Sequence, residues 1–562
     1  MSASLHGLSL FHPQGHLARP ANPFGKDIAN AALFRGLLNH GGFTDVAVLN
    51  QAGLSGEQLA AALDTADEVR LTSAALNNTS WPARHGTLLR GQPYLAELSW
   101  LRRSAGLDQA YSLVGLIHTI APPAVREQIA AAALAPTQAW DALVCTSPAV
   151  QQAMEAMFDG LTEHLTARLG ATRTPRPQLP LIPLAVDTDR LARQGADQQA
   201  RSALRERLSI ADDDILVLWV GRLSYYEKAF PQSMFLAMRQ ASEQSSRKMH
   251  FALVGWFPSG EPEMQLYKQA ADLLAPDLNV LVMDGNDPHL VAQSWAAADV
   301  FLSLVDNIQE TFGLTPIEAM ATGLPVVVSD WDGYRYTVRD GVDGVLVPTL
   351  GSPGGLPGEL LAGLHSLELE AYQNYVGASA QHTAVHVQQA AAALLRLAES
   401  ANQRRVMGAA GQQRAQSIFS WPQVARLYRE LFEELAVRRQ SADSVEAAAG
   451  SRLDPCRGEP FADFRHFATD VLEPHLSLRL ADGVKSADLN GRLAVRLNGM
   501  YPGLRVTPEE ALQALQVLET AGASGLTVAD LCAGVPLERR PFLETTLVWL
   551  AKMSLVDWLP KP

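Results

Sequence analysis

An α/β fold of two Rossmann-like domains facing a cleft, followed by a mainly helical C-terminal domain, is what this 562-residue chain predicts. Three observations point there. The chain is too long for one core, so two to four domains are expected. Short apolar runs alternate with helical patterns, which marks parallel βαβ units with helices on both faces of the sheet. The composition then changes in kind after about residue 440.

The elements follow in order. Residues 8–11 form a first apolar run, and a helix starts near Phe24, where Ile28, Ala31, Phe34 and Leu38 share one face. Residues 46–49, 112–117 and 142–145 read as further strands, and this half closes near Ile182 and Pro183. In the second half the strands are 215–220, 251–254, 280–282, 300–304, 325–329 and 345–347, with helices from near Pro231 and Leu314. A helix-rich stretch runs from 385 to 439. The expected domains are residues 1–185 and 186–424, then a crossover helix over 425–440 that packs back on the first half. Residues 441–458, rich in Ala, Ser, Gly and charge without periodicity, form a linker. Residues 459–562 are an accessory domain, with helices at 507–521, 527–532 and 536–553 and an extended stretch at 554–559. Thr507 and Pro508 sit at the cap and first turn of the first of these. The pattern resembles a winged-helix unit.

Bulk numbers exclude some classes. Hydrophobic residues are 47% and charged residues 19%, a globular composition. A net charge of -14 argues against a general nucleic-acid binder, and in the tail Lys and Arg roughly balance Asp and Glu, so the tail is read as a protein-contact module. Cys145, Cys456 and Cys532 are too scattered for a metal or redox motif. No run of 18 apolar residues and no leader pattern is found, so the expected location is cytoplasmic, free or peripheral to the inner face of the membrane.

The sharpest motif is Glu310-Thr-Phe-Gly-Leu-Thr-Pro-Ile-Glu318, between the strand 300–304 and the following helix. Strand C-termini in an open α/β sheet point at the ligand crevice. A glycine at a helix start lets phosphate approach the backbone, where unpaired N–H groups and the helix dipole hold an anion. Gly313, Leu314 and Thr315 are placed to donate to a diphosphate. Glu318 can reach a ribose diol. Glu310 can contact sugar hydroxyls or steady positive charge at an anomeric carbon. The plain alternative is a helix start with acidic neighbours.

Other segments in the same order complete a pattern. Gly221, Arg222 and Leu223 follow the first strand of the second half, with Lys228 beyond. Ile182, Pro183 and Asp187 stand at the junction, Asp141 to Ser147 spans a late strand of the first half, and His118 ends an apolar strand. With seven residues lying between Glu310 and Glu318, this resembles the retaining glycosyltransferases of family four, of the GT-B fold and E-x7-E type (glycosyl transferases group 1), over roughly residues 8–435. The resemblance implies transfer of a sugar from a nucleotide-diphosphate sugar to an acceptor hydroxyl with retention, in glycan or glycoconjugate biosynthesis. It implies that Arg222, Lys228, Gly25 and Lys26 bind the diphosphate, that Glu318 holds the ribose, and that Glu310 and His118 meet the transferred sugar. It implies no metal and no cofactor beyond the donor, since cations at the leaving group take the metal's place.

There are departures from the family's pattern. Arg222 and Lys228 are six apart where five is more usual, Tyr334-Arg335-Tyr336 follows Gly333 where many relatives carry a glutamate, and residues 350–384 read as an insertion. The expected partners are a UDP-, GDP- or ADP-linked donor, its base read by loops around 284–288, and a glycan, lipid-linked or protein acceptor. The rival readings are a GT-B phosphorylase or epimerase, and a GT-B scaffold whose tail binds a partner.

Overall fold

The structure, a computed structural model, describes residues 6–12, 25–51, 53–65, 68–442 and 451–558, with the side chains of residues 25–28 left aside. The chain divides into two compact units, residues 1–454 and 455–562.

The first unit holds two six-stranded sheets. The first sheet contains β1 (Gly7–His12), β2 (Asp45–Asn50), β3 (Arg70–Ala74), β4 (Thr87–Arg90), β5 (Ser112–Leu116) and β6 (Ala142–Val144), in the order β3-β2-β1-β4-β5-β6. The second contains β7 (Ile215–Val220), β8 (Met249–Gly255), β9 (Asn279–Asp284), β10 (Val300–Ser303), β11 (Val326–Ser329) and β12 (Gly344–Val347), in the order β12-β11-β10-β7-β8-β9. All pairs within both sheets are parallel. Numbered from its own first strand, each sheet has the doubly wound order in which the chain reverses direction beside that strand. The crevices therefore open at the C-terminal ends of β1 and β4, and of β7 and β10.

β7 reads Ile-Leu-Val-Leu-Trp-Val, apolar on both faces, because helices cover both faces of the sheet. Its register with β8 runs from Ile215 opposite Met249 to Val220 opposite Val254. β3 and β4 were not foreseen. β3 is an edge strand with polar, half-exposed residues, and β4 is only four residues long. The segment 350–384 is a small unit of its own: β13 (Thr349–Gly351) and β14 (Thr383–Val385) pair antiparallel around the helices Leu356–Ser366 and Tyr372–Gln381.

The helix Trp421–Ser441 returns to the first half. Its Val424, Ala425, Tyr428, Leu431, Phe432 and Leu435 are buried in one core with Leu8, Leu10, Phe34 and Leu37. Six such side chains contribute on the order of 10 kcal/mol of burial before entropy costs. The approach is close: a Cβ on Gly36 would lie 2.0 Å from the Trp421 ring.

The second unit pairs β15 (Ser477–Leu480) antiparallel with β16 (Leu526–Thr527) and β17 (Val556–Trp558). The helices are Pro508–Ala521, Val528–Cys532 and Arg540–Lys552. Thr507 and Thr527 each close a capping box at the start of the first two. The third helix begins at Arg540 and not at 536, with Pro541 in its first turn, where a missing N–H costs nothing. β15 was not foreseen either, because it lies apart in sequence from the helices it supports.

Candidate active site

The loops after β7 and β10 meet where the second sheet reverses direction. Beyond β7, the chain makes a tight turn on Ser224, whose carbonyl accepts from the Lys228 N–H at 2.9 Å and whose Oγ accepts from the Glu227 N–H at 3.3 Å. This turn lies within the stretch between Arg222 and Lys228. Lys228 Nζ then reaches Glu310 Oε2 at 3.1 Å. Asn307 Nδ2 donates to the Tyr226 carbonyl at 2.7 Å, so the two loops are also tied through backbone.

Glu310 is 12% exposed. Burial alone would raise its carboxyl, but the Lys228 charge and hydrogen bond, with backbone N–H groups of Phe312 and Thr311, outweigh it and hold the group below the usual carboxylate range. Glu310 is therefore an anion at neutral pH. Arg222 is paired through Nη1 with Glu227, both side chains 11% exposed. Arg222 and Lys228, the expected diphosphate cations after β7, thus each hold a carboxylate.

Gly313 caps the helix Leu314–Ala321 at φ 84, in the left-handed region, and brings no side chain to the cap. A Cβ there would lie 1.9 Å from the Tyr334 ring. Both facts require glycine. Tyr334 is buried, its hydroxyl pairs with Ser303 Oγ at 3.0 Å, and it also bonds the Thr315 side chain. Thr315 is therefore engaged through its hydroxyl, which leaves the helix-start amides as the feature fit for an anion.

The first half supplies the facing wall. Thr311 Oγ1 donates to the His118 carbonyl at 2.7 Å, and Ser147 Oγ donates to Asp332 Oδ1 at 3.1 Å. The His118 ring places Nε2 at 2.6 Å from Asn30 Oδ1 and 3.0 Å from the Gly91 carbonyl. A carbonyl only accepts, so Nε2 carries the proton. His118 is thus positioned by β4, β5 and the first helix (Gly25–His40). Asp332, at φ 39, is pushed up to about 7 by burial first and then by the Glu310 charge, against hydrogen bonds from Ser147 and Gly333.

Glu318 faces elsewhere. It is half-buried, its carboxyl raised by burial against the opposing charge of Arg190. It opens into a cleft of about 690 Å³ that is also walled by Leu314, Asn30, Asp187, Arg190 and Trp421. Glu310, paired with Lys228, and Glu318, lining this cleft, therefore have different surroundings. Gly25 and Lys26 open the first helix, but the preceding loop with Asn22, Pro23 and Phe24, and the Lys26 side chain, lie outside the described residues.

Thr311, Tyr334, Asp332 and Asn30 were not singled out from sequence. Neither was Tyr372, which the segment 350–384 contributes: its hydroxyl donates to Gln309 Oε1 at 2.6 Å and engages Thr119. Only Asp332 and Tyr334 had a signal, the departure after Gly333. Among the described residues no group of three His, Cys, Asp or Glu side chains could hold a metal ion, and no helix is long and apolar enough to cross a membrane. Cys145 and Cys532 are buried thiols, and Cys456 is exposed.

Comparison with known proteins covers part of this architecture. Residues 200–356 match the family model of glycosyl transferases group 1, a span that takes in Arg222, Lys228, Glu310 and Glu318. A D-inositol 3-phosphate glycosyltransferase of Geodermatophilus obscurus is 36% identical over 178 residues, 31% of this chain and 37% of that protein. One from Xylanimonas cellulosilytica is 29% identical over 252 residues, 44% of this chain and 58% of that protein. The chain therefore spans less than two thirds of either relative. The solved structure of Anabaena HepE in complex with UDP aligns over 76% of this chain and 99% of that one, at TM-score 0.50 and 15% identity. That likeness is one of fold: two Rossmann-like domains in the GT-B arrangement.

Proposed function

We propose that the chain is a glycosyltransferase that moves a sugar from a nucleotide-diphosphate sugar to an acceptor hydroxyl with retention of configuration and without a metal. The observation that carries this reading is the meeting of Lys228 and Glu310 at 3.1 Å, beside Arg222 and the helix start at Gly313. Lys228, Arg222 and the amides of Gly313, Leu314 and Thr315 take the diphosphate and offset the charge it gains on leaving. Gly25 and Lys26 close on it from the first domain. Glu318 holds the ribose. Glu310, ionised and close to Lys228, meets the donor sugar and steadies positive charge at the anomeric carbon. His118, its Nε2 committed to Asn30 and Gly91, acts through a fixed position beside the sugar. The acceptor hydroxyl attacks from the side the diphosphate leaves.

The similarity over residues 200–356 and the family names of the relatives support the donor half of this reading. The inositol phosphate in the relatives' name adds one acceptor class to the glycan, lipid-linked and protein acceptors. The domain limits at 185, 424 and 440, and a winged-helix-like, partner-binding tail, belong to the same proposal.

The test starts with a thermal-shift screen of UDP-, GDP- and ADP-sugars, followed by turnover of the donor that binds. Glu310→Gln and Lys228→Ala are expected to abolish turnover and leave the melting temperature nearly unchanged. Full activity in both variants sinks the site assignment. Release of inorganic phosphate from a sugar 1-phosphate favours the phosphorylase reading instead.

A further inference from the structure

The two cations of the turn after β7 are each paired with a carboxylate, one from the turn itself and one from the loop after β10. Arg222 Nη1 lies against Glu227 Oε2, each side chain 11% exposed, while Lys228 is held by Glu310. Glu227 is fixed close to Arg222 by the same turn, its N–H donating to Ser224 Oγ at 3.3 Å. It has anionic company: burial first raises the Glu263 carboxyl, and the Glu227 charge adds to that rise. Tyr372 lies close enough that, after burial, the Glu227 charge is the next cause of its raised phenol.

A diphosphate at this turn brings at least two negative charges to within a few ångströms of the Glu227 carboxylate. In a partly buried crevice such like charges repel strongly. A phosphate oxygen can take the Arg222 face that Glu227 occupies only when Glu227 yields it. The penalty is not equal for substrate and product. When the sugar–oxygen bond breaks, its electron pair stays on the terminal phosphate, so the free nucleoside diphosphate carries more negative charge than the nucleotide sugar.

We propose that Glu227 is an internal competitor for Arg222, a specificity-determining residue that lets the nucleotide sugar in and disfavours the nucleoside diphosphate product. It occupies Arg222 when the site is empty, yields to the donor, and returns as the product gains charge. The proposal rests on the donor-site reading given above. An internal competitor scales apparent affinity down to the fraction of time it leaves the site free, so its removal raises affinity by the inverse of that fraction.

Isothermal titration of UDP, GDP and ADP, and of the matching nucleotide sugars, into the full chain tests this in wild type, Glu227→Gln and Arg222→Ala. Gln is nearly isosteric and still accepts from Arg222, and thermal melts verify that each variant folds. Glu227→Gln is expected to bind the preferred diphosphate about 10-fold tighter, with a smaller gain for the nucleotide sugar. Arg222→Ala is expected to weaken both. If Arg222→Ala weakens binding but Glu227→Gln binds the diphosphate equally or more weakly, Glu227 orients Arg222 and the proposal falls alone. Equal gains for diphosphate and sugar overturn the discrimination between them. If no diphosphate binds, or Arg222→Ala binds as wild type does, the donor-site reading fails and the proposal with it.

Discussion

Thr311 donates its hydroxyl to the His118 carbonyl at 2.7 Å, which joins the loop of the ionised Glu310 to the strand end of the proposed active-site histidine. The Thr311 carbonyl in turn lies 3.4 Å from Thr146 Oγ1, its donor. A residue beside Glu310, the proposed sugar contact, is therefore bonded on both sides to the first half of the unit.

Thr311→Val keeps shape and removes the donor. It leaves the His118 carbonyl without that partner, at a cost of about 1–3 kcal/mol. Turnover of the donor is expected to fall more than the melting temperature, because the bond sets the distance between two walls of the site. A fall in melting temperature with unchanged kcat contradicts this.

Asp306 is 3% exposed and its carboxyl is pushed up to about 8 by burial, against a hydrogen bond from the Phe230 N–H. Between its ordinary value near 3.8 and 8 the folded state binds more protons than the unfolded state. Stability from this group therefore falls as pH rises through that window and levels off above it. Asp306→Asn keeps an acceptor for Phe230 and cannot ionise. Melting temperature against pH is expected to flatten between pH 4 and 8, with the variant more stable than wild type at pH 9.

Gly313→Ala adds strain of about 1–3 kcal/mol at a positive φ and drives a methyl into the Tyr334 ring. Both a lower melting temperature and weaker diphosphate binding are expected. Wild-type calorimetry for the alanine variant contradicts the close packing of these loops.

Asp141 begins the segment that leads to Ser147, but its side chain is structural. It is fully buried, pairs with Arg102 at 2.7 Å, and accepts from the N–H groups of Leu113 and Gln138. Asp141→Ala strands the Arg102 charge and is expected to cost about 3–5 kcal/mol in denaturant unfolding. A cost under about 1 kcal/mol is inconsistent with that role.

Much of the strand and helix pattern was legible, and the reasons are specific. β7, β10 and β11 are continuous apolar runs, and burial on both faces of a parallel sheet demands that pattern. β3 escaped because an edge strand faces solvent and loses it. Thr507 marked its helix because a cap acts over three residues. Asn30 and Tyr372 had no such mark, since their partners lie 88 and 63 residues away in the chain.

By itself, the sequence determined which residue types crowd the two loops: a glycine that alone tolerates φ 84, two cations after β7, and two acids flanking a helix start. These follow from local sterics and spacing. Only the tertiary structure decided how the charges pair, with Lys228 on Glu310 and Arg222 on Glu227, and that Glu318 lines a cleft with Asn30, Arg190 and Trp421. Ion pairing depends on distance and burial across loops far apart in the chain, and no local pattern encodes that.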